Sequence, residues 1–362
     1  MEGVVSNPDA AFWRGRRVLL TGHTGFKGAW LALWLERLGA EVSAFALPPE
    51  AGPNLFHLAK VAESCDSRIQ DLQDSDGVAR QVRQARPQIV LHLAAQALVR
   101  RSLAMPVETF ATNVLGTINL LQALRELEGI EAVLVVTSDK VYANDGSGRA
   151  ICEADPLGGD DPYSASKAAC ELAVNSMRRS FLSARGVPVA TARAGNVIGG
   201  GDFAEDRVVP DCVRAAIAGR PVVLRHPRST RPWQHVLDCL CGYLLYAERL
   251  ASAPAVVPQA LNFGPASEPA VPVVELASAI MEAMDSTAGI EVREPGHSVE
   301  APLLSLDSTL ARRTLGWRDR LSGPAAIEAT AMWYRRWQAG EDMRAATVAE
   351  IDRYQAGEGK AK

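Results

Sequence analysis

Apolar and amphipathic segments alternate along the first half of the chain. Short apolar runs predict strands at RRVLLTG, AEVSAFAL, SRIQDL, IVLHLAA, EAVLVVTSD and VPVATARA. Segments with helical periodicity lie between several of them, namely KGAWLALWLERLG, TNVLGTINLLQALREL and YSASKAACELAVNSMRRSF. Runs this apolar, separated by helices, are typical of parallel strands that are covered on both faces. The sequence therefore predicts an α/β fold with a doubly wound parallel sheet, whose ligands gather at the carboxyl ends of the strands.

Composition narrows the class of protein. The chain is 48% hydrophobic and 22% charged, with a net charge of −4, which is typical of a globular protein without a basic surface for nucleic acid. It has no apolar run of bilayer length and no basic start followed by an apolar core, so we expect no membrane partner and a cytoplasmic location. The six cysteines form no CxxC pair and no His stands at zinc-ligand spacing, so we expect buried thiols and no metal.

A glycine-rich turn follows the first predicted strand. In LLTGHTGFKG, Gly22, Gly25 and Gly28 stand between that strand and a helix, where they allow a tight turn and close approach of the backbone. The helix N-terminus then offers free N–H groups to a pyrophosphate. The turn is not a Walker loop, because Phe26 precedes Lys27 and no Ser or Thr follows it. This pattern predicts a dinucleotide cofactor.

Other positions near this turn leave alternatives open. His23 and Lys27 either touch the phosphate or nicotinamide side of the cofactor or are exposed loop residues. The second strand ends in 46–49, Ala-Leu-Pro-Pro, with neither an acid nor an arginine, so this position does not choose between NAD and NADP. Asp71, beside Leu72 at the end of the third strand, could meet the adenine amine or could equally be a cap.

The residue composition changes after Gly195, where Pro, Arg and His become frequent. QALNFG is the remaining short strand that the pattern predicts. We therefore expect a Rossmann-type NAD-binding domain at 10–195, to which a segment near 233–265 returns. A smaller, mainly substrate-binding lobe is expected at 196–345, followed by a polar C-terminal tail at 346–362.

Tyr163 and Lys167 in DPYSASK stand four residues apart, so on a helix they share a face. An ammonium group near the phenol is expected to lower its pKa, which makes Tyr163 a base for a substrate hydroxyl as hydride leaves the same carbon. Ser138, at the end of the strand EAVLVVTSD, would hydrogen-bond that hydroxyl. Tyr163 and Lys167 are also expected to contact the cofactor.

Asp139 and Lys140 follow Ser138, and the oxidation of an alcohol requires neither of them. Oxidation of a sugar carbon to a ketone makes the adjacent C–H acidic, and an acid and a base close by could then remove water. From the residue types alone it is equally consistent that Asp139 begins a turn and Lys140 points to solvent.

The chain resembles the extended short-chain dehydrogenase/reductase family, and within it the nucleotide-sugar 4,6-dehydratases of the CDP-glucose branch, over roughly residues 10 to 343. The matching stretches are FWRGRRVLLTGHTGFKGAWLALWL, HLAAQALVRRS, TNVLGTINLL, TSDKVY, DPYSASK, RAGNVIGGGDFAEDR, RPWQHVLD and LNFGP. The resemblance implies a bound NAD that is reduced and restored within each turnover, a CDP-glucose substrate and a homodimer or homotetramer. A 4-epimerase or reductase of the same family would not use Asp139 in its reaction.

The resemblance also implies roles for further residues. Asp139 would protonate the departing 6-hydroxyl, and Lys140 would stand where the related dTDP-glucose enzymes carry a glutamate base. The remaining implied contacts are Ala94, Ala95 and Asn113 with the cofactor, Gln96 with the sugar, Asn196, Arg207 and Arg231 with the diphosphate, and Arg225 and His235 with the cytosine or ribose. Asn113 could equally be a helix-start residue that touches no ligand.

Overall fold

The computed structural model describes residues 6–144, 146–266, 271–293 and 305–357. The strands of the described residues are β1 Arg17–Thr21, β2 Glu41–Ala46, β3 Asp66–Ile69, β4 Ile89–His92, β5 Ala132–Val136, β6 Val189–Ala194, β7 Val197–Ile198, β8 Val222–Leu224, β9 Thr230–Arg231, β10 Gln234–His235, β11 Ala260–Phe263, β12 Val271–Pro272 and β13 Ile290–Val292. Seven of them form one sheet in the order β11-β6-β5-β4-β1-β2-β3, and every pairing in it is parallel. The predicted doubly wound parallel sheet is confirmed.

Helices cover both faces of this sheet. The helices of the described residues are α1 Ala10–Trp13, α2 Phe26–Arg37, α3 Leu55–Leu58, α4 Ser75–Ala85, α5 Val99–Ala104, α6 Pro106–Phe110, α7 Gly116–Leu124, α8 Pro162–Met177, α9 Val208–Ile217, α10 Val236–Ser252, α11 Val273–Ala283, α12 Thr309–Leu315, α13 Pro324–Gln338 and α14 Met343–Ala356. Side chains alternate along β1, so that Leu20 packs with α2 and α10 while Leu19 packs with α4, α7 and α8. Among the described residues, none of these helices is both long and apolar enough to span a bilayer.

The helix predicted over TNVLGTINLLQALREL is interrupted. A π-helical turn over Ala111–Leu115 joins α6 to α7. Hydrophobic periodicity alone does not reveal this wider turn. Asn113, which lies in it, bonds to residues outside its own helix. Such turns occur often at functional sites.

The C-terminal part of the chain returns to the sheet and to its helices. β11 pairs with β6 at the edge of the sheet, and α14 packs on α2 with the rings of Trp34 and Tyr354 5.5 Å apart. Lys360–Lys362, at the end of the predicted tail, lie outside the described residues. The division into domains at 195/196 and 345/346 stays a prediction.

A buried acid in α14 makes stability depend on pH. Glu350 is 7% exposed, and burial raises the pKa of its carboxyl to about 8. Because this folded-state pKa lies above the unfolded value of about 4.3, the folded protein binds more protons between the two values, and stability falls as pH rises through this window. We expect the melting temperature to fall between pH 5 and 8, and Glu350→Gln to remove part of that fall. The exposed Glu328→Gln is the matched control, and an identical pH slope in wild type and Glu350→Gln would contradict the account.

Candidate active site

The glycine turn is shaped by two close approaches of the backbone. Gly22 has a φ of +82°, and a Cβ there would lie 2.7 Å from the backbone nitrogen of Ala94. A Cβ on Gly28 would lie 2.1 Å from the carbonyl oxygen of Gly22. Gly25 is different, because a Cβ there would meet only that same oxygen, at 3.5 Å, and no side chain caps α2. The fold therefore requires glycine at 22 and 28, while the bare Gly25 leaves the N-terminus of α2 open to a phosphate.

His23 lies within this turn and is fully buried. Its Nε2 is 2.7 Å from the hydroxyl of Ser67 on β3, and its ring meets the edge of Phe56. Burial lowers the pKa of His23 to about 4, so the ring is neutral at physiological pH. The alternative that His23 is an exposed loop residue is therefore wrong, and a contact with the phosphate or nicotinamide side stays a prediction. Lys27 is half-buried with Nζ 5.7 Å from the ring centre of Tyr243, and Phe26 packs on the core.

Asp71 and Leu72 lie just beyond β3. The carboxylate of Asp71 accepts a hydrogen bond of 2.9 Å from the backbone N–H of Gln73, which is the capping type of contact. Leu72 is buried, and its carbonyl accepts a hydrogen bond of 2.8 Å from Asn119. Asp71 is half-buried, so the turn contact and a ligand contact are compatible.

Ala94, Ala95 and Gln96 follow β4. The backbone N–H of Ala94 donates to the hydroxyl of Thr21, 3.1 Å away, which fixes the strand end beside the glycine turn. The side-chain amide of Gln96 donates to Thr109 and accepts from the backbone of Leu98 at 2.6 Å. These bonds hold the amide of Gln96 within its own loop, and its expected contact with the sugar stays a prediction.

Hydrogen bonds of Asn113 connect this loop to α8. Its Oδ1 accepts from the backbone N–H of Gln96 at 2.8 Å, while its Nδ2 donates to the Gln96 carbonyl at 3.0 Å and to the hydroxyl of Ser166 at 2.9 Å. The side chain is 1% exposed. Asn113 is therefore neither a helix-start residue nor open to cofactor, and it holds α8 at a set distance from β4.

Asp139 is held at the carboxyl end of β5 by two neighbours. Ser138 donates to its Oδ1 at 3.0 Å, and Asn196 donates from Nδ2 to its Oδ2 at 3.1 Å. The carboxyl is 2% exposed, and a Cβ on Gly195 would lie 2.0 Å from its Cγ. Asp139 does begin a short 3₁₀ turn, as one alternative expected, but its side chain is buried toward the site. Lys140, the next residue, is half-buried.

Tyr163 and Lys167 lie on the inner face of α8, which begins after the cap Asp161. Both are buried, and the Lys167 ammonium donates to the carbonyl of Val136 at 3.2 Å. Burial raises the pKa of Tyr163 to about 12, and a hydrogen bond with Ser138 only partly opposes this. Burial also lowers the pKa of Lys167. The expectation of a lowered pKa for Tyr163 is thus corrected, because desolvation of the phenolate raises the pKa and Lys167 is not among the groups that lower it.

Arg207 lies close enough to Tyr163 for their charges to interact. Its guanidinium pairs with Asp202 at 2.8 Å, and this carboxylate raises the pKa of Arg207. Arg225 pairs with Asp206 at 2.7 Å, and Arg100, which the sequence did not single out, pairs with the same carboxylate at 3.1 Å.

Arg231 and His235 are more deeply buried than Arg207 and Arg225. Arg231 is 7% exposed and donates to the carbonyl of Thr230 at 2.9 Å. His235 is fully buried, its Nδ1 accepts from the backbone of Leu237 at the start of α10, and burial lowers its pKa to about 3. His235 therefore caps a helix, and the expectation that it meets the base or ribose is corrected.

A buried ion pair that the sequence did not predict holds Thr137, the residue before Ser138, in place. Glu171 accepts two hydrogen bonds of 2.9 Å from Arg193 and one of 2.6 Å from the hydroxyl of Thr137. Arg193 also donates to the hydroxyl of Tyr142 at 2.7 Å. Two signals could have revealed it, namely Glu171 four residues after Lys167 and an arginine inside the apolar run VPVATARA. The pair fixes the strand end that carries Ser138.

Comparisons with known proteins agree with this geometry. Residues 18–264 match the model of the NAD dependent epimerase/dehydratase family. The chain is 40% identical over 351 residues to the CDP-glucose 4,6-dehydratase of Salmonella typhimurium, an alignment that covers 96% of this chain and 98% of that protein.

Solved structures share the fold. The UDP-glucose 4-epimerase of Thermus thermophilus in complex with NAD is 27% identical, with a TM-score of 0.75 over 88% of this chain and 99% of that one. The dTDP-glucose 4,6-dehydratase of Bacillus anthracis in complex with NAD is 20% identical, with a TM-score of 0.74 over 90% and 99% of the two chains. The family match, the relative and the glycine turn lead to one conclusion: the chain is an enzyme that belongs to the NAD dependent epimerase/dehydratase family.

Proposed function

We propose that the chain converts CDP-glucose to CDP-4-keto-6-deoxyglucose by oxidation at C4, elimination of water across C5–C6 and return of hydride to C6. The observation that carries this is the buried carboxyl of Asp139, which lies one hydrogen bond from Ser138, beside Tyr163. Oxidation of an alcohol alone does not need this acid. The substrate follows from the 40% identity, over nearly the whole chain, to an enzyme named for CDP-glucose.

The residues present fit NAD. The close approaches at Gly22 and Gly28 leave the uncapped N-terminus of α2 for the pyrophosphate, and Gly25 leaves the space above it. Bound NAD supplies the hydride acceptor for C4 and the hydride donor for C6.

Ser138 and Tyr163 would act on the 4-hydroxyl. Tyr163 would first give its own proton to solvent, and its phenolate then takes the hydroxyl proton. Ser138 hydrogen-bonds the oxygen, and Lys167 adds a positive charge on the same helix face. Once C4 is a ketone, the proton on C5 is acidic. Lys140 would accept it, and Asp139 would protonate the departing 6-hydroxyl. Lys140 then returns its proton to C5.

Arginines would hold the nucleotide diphosphate. Arg207 and Arg225 are each paired with a carboxylate and only partly buried, which leaves guanidinium edges for phosphate oxygens. Arg231 supplies a third charge. Asn196, whose amide nitrogen bonds to Asp139, would link the diphosphate side of the site to the acid.

The purified protein with CDP-glucose and NAD tests this function by mass spectrometry of the sugar nucleotide. The matched controls are the dTDP, GDP and UDP analogues. We expect loss of one water from the CDP sugar without net NADH. A C4-epimeric sugar of unchanged mass would instead indicate a 4-epimerase, and reaction of another analogue alone would overturn the CDP preference.

A second copy of the chain is the proposed partner, as a homodimer or homotetramer. Four apolar side chains remain exposed on the packed group formed by α6, the π turn and α8: Val107 at 82%, Phe110 at 39%, Leu115 at 57% and Leu172 at 61%. Apolar side chains gathered on neighbouring helices are typical of an interface between subunits.

Leu172→Glu is expected to shift the protein to a monomer, because a buried, unpaired carboxylate in an interface costs several kcal/mol. Sedimentation of the wild type and the variant measures this. Val256→Glu, at a side chain that is 70% exposed beyond α10, is the matched control. A wild type that is monomeric, or a Leu172→Glu variant with unchanged mass, would contradict this interface.

A further inference from the structure

Residues 138–140, the acid–base segment, are held on both sides by one buried ion pair. Before the segment, the hydroxyl of Thr137 donates to Glu171 at 2.6 Å. After it, the hydroxyl of Tyr142 accepts from Arg193 at 2.7 Å. Glu171 on α8 and Arg193 on β6 share two hydrogen bonds of 2.9 Å and are each 5% exposed, so water competes little with these contacts. Both ends of the segment are therefore fixed to the same pair.

The direction of each hydrogen bond at Tyr142 follows from its partners. The guanidinium of Arg193 can only donate, so the phenol oxygen accepts from it. The amide nitrogen of Asn262 donates to the backbone carbonyls of Ile151 and Asp307, at 3.0 and 3.3 Å. The amide oxygen therefore faces Tyr142 and accepts the phenol proton at 2.7 Å. Burial raises the pKa of Tyr142 to about 12, so the phenol keeps this proton at neutral pH and both bonds persist.

Lys140 is placed in a different way from its two neighbours in the segment. The carboxylate of Asp139 is held directly, by the hydroxyl of Ser138 and by the amide of Asn196. Lys140 donates from its backbone nitrogen to Ser138 at 3.2 Å, which fixes its main chain. The position of its ammonium group therefore depends on how the main chain is held, and Tyr142 holds the main chain beyond it.

From this arrangement we propose that Tyr142 is a positioning residue for Lys140. Through the same ion pair, Thr137 positions Ser138. The proposal rests on the proposed function, in which Ser138 acts in the oxidation at C4 and Lys140 removes the proton from C5. Each flank of the segment then serves a different step, so the loss of one hydroxyl should slow one step.

Single-turnover kinetics with CDP-glucose test this division. Tyr142→Phe removes the phenol oxygen and keeps the ring, whereas Thr137→Val removes the hydroxyl on the other flank. NADH absorbance follows oxidation at C4, and the mass of the sugar nucleotide follows elimination. CDP-glucose with deuterium at C5 is run in parallel, because its isotope effect reports how far removal of the C5 proton limits elimination. Matched controls are Tyr246→Phe, which removes another buried phenol hydroxyl, and Thr137→Ser, which keeps the hydroxyl.

In Tyr142→Phe we expect oxidation near the wild-type rate and elimination slowed by about 100-fold, the cost of a misplacement of about 1 Å. NADH should therefore accumulate, and the isotope effect at C5 should exceed that of wild type. In Thr137→Val oxidation itself should slow, without accumulation of NADH. Tyr246→Phe and Thr137→Ser should keep both rates, whatever their melting temperatures, which separates positioning from a general loss of stability.

Equal slowing of both steps in Tyr142→Phe, a wild-type rate of elimination or an unchanged isotope effect would overturn the positioning of Lys140 and leave the proposed function intact. Oxidation at the wild-type rate in Thr137→Val would overturn the role of Thr137. A wild-type enzyme that removes water from no sugar nucleotide would overturn the proposed function, and the proposal with it.

Discussion

Asp139→Asn is expected to lose water from CDP-glucose about 100- to 10,000-fold more slowly than wild type, the range seen when a positioned acid is removed. The amide is nearly isosteric and its oxygen can still accept from Ser138, whereas the bond from Asn196 is lost because an amide nitrogen cannot accept. It has no acidic proton for the 6-hydroxyl. Oxidation at C4 still proceeds at a reduced rate, and the hydride then stays on the cofactor.

NADH absorbance and sugar-nucleotide mass measured together separate these effects. We expect NADH to accumulate in Asp139→Asn and to stay low in wild type. Asp160→Asn, an exposed acid in the loop before α8, is the matched control and should behave as wild type. Full dehydration by Asp139→Asn would show that another group protonates the leaving oxygen.

Tyr163→Phe is expected to stop the reaction one step earlier. Without the phenol no group takes the proton of the 4-hydroxyl, so oxidation and water loss should fall together, by about 100- to 10,000-fold. NADH should not accumulate, in contrast to Asp139→Asn. The same absorbance and mass measurements distinguish the two variants.

Tyr246→Phe is the matched control for this change. Tyr246 is buried in α10 and donates to the carbonyl of Pro258, so its loss should lower stability but leave turnover unchanged. If Tyr163→Phe reduced NAD at the wild-type rate, the base in the first step would be a different residue.

Hydrophobic periodicity and local turn chemistry predicted the sheet because they are local properties. Each predicted strand from RRVLLTG to VPVATARA corresponds to one of β1 to β6, and QALNFG to β11. The glycine turn could also be predicted, since the close approach of Gly28 to Gly22 joins residues six positions apart. The order of the strands in the sheet could not be predicted from local patterns, because it depends on pairings between distant segments such as β11 with β6.

The side-chain partners of the site residues could not be predicted, because they lie outside the motifs. His23 bonds to Ser67 and Gln96 to Thr109, and neither partner belongs to a motif. The pKa of Tyr163 was misjudged for a related reason. The neighbouring lysine is visible in the sequence, whereas the desolvation that raises the pKa of Tyr163 arises only when α8 packs on the sheet. Residue types identify candidate groups, and burial decides their charge.

Transfer of hydride from C4 to C6 is the central claim, and CDP-glucose labelled with deuterium at C4 tests it most directly. Mass and NMR spectra of the product are predicted to show one deuterium in the new methyl group at C6 and one water lost. Deuterium that remains at C4 of an unchanged or epimerised sugar, or that appears in released NADH, would contradict the account.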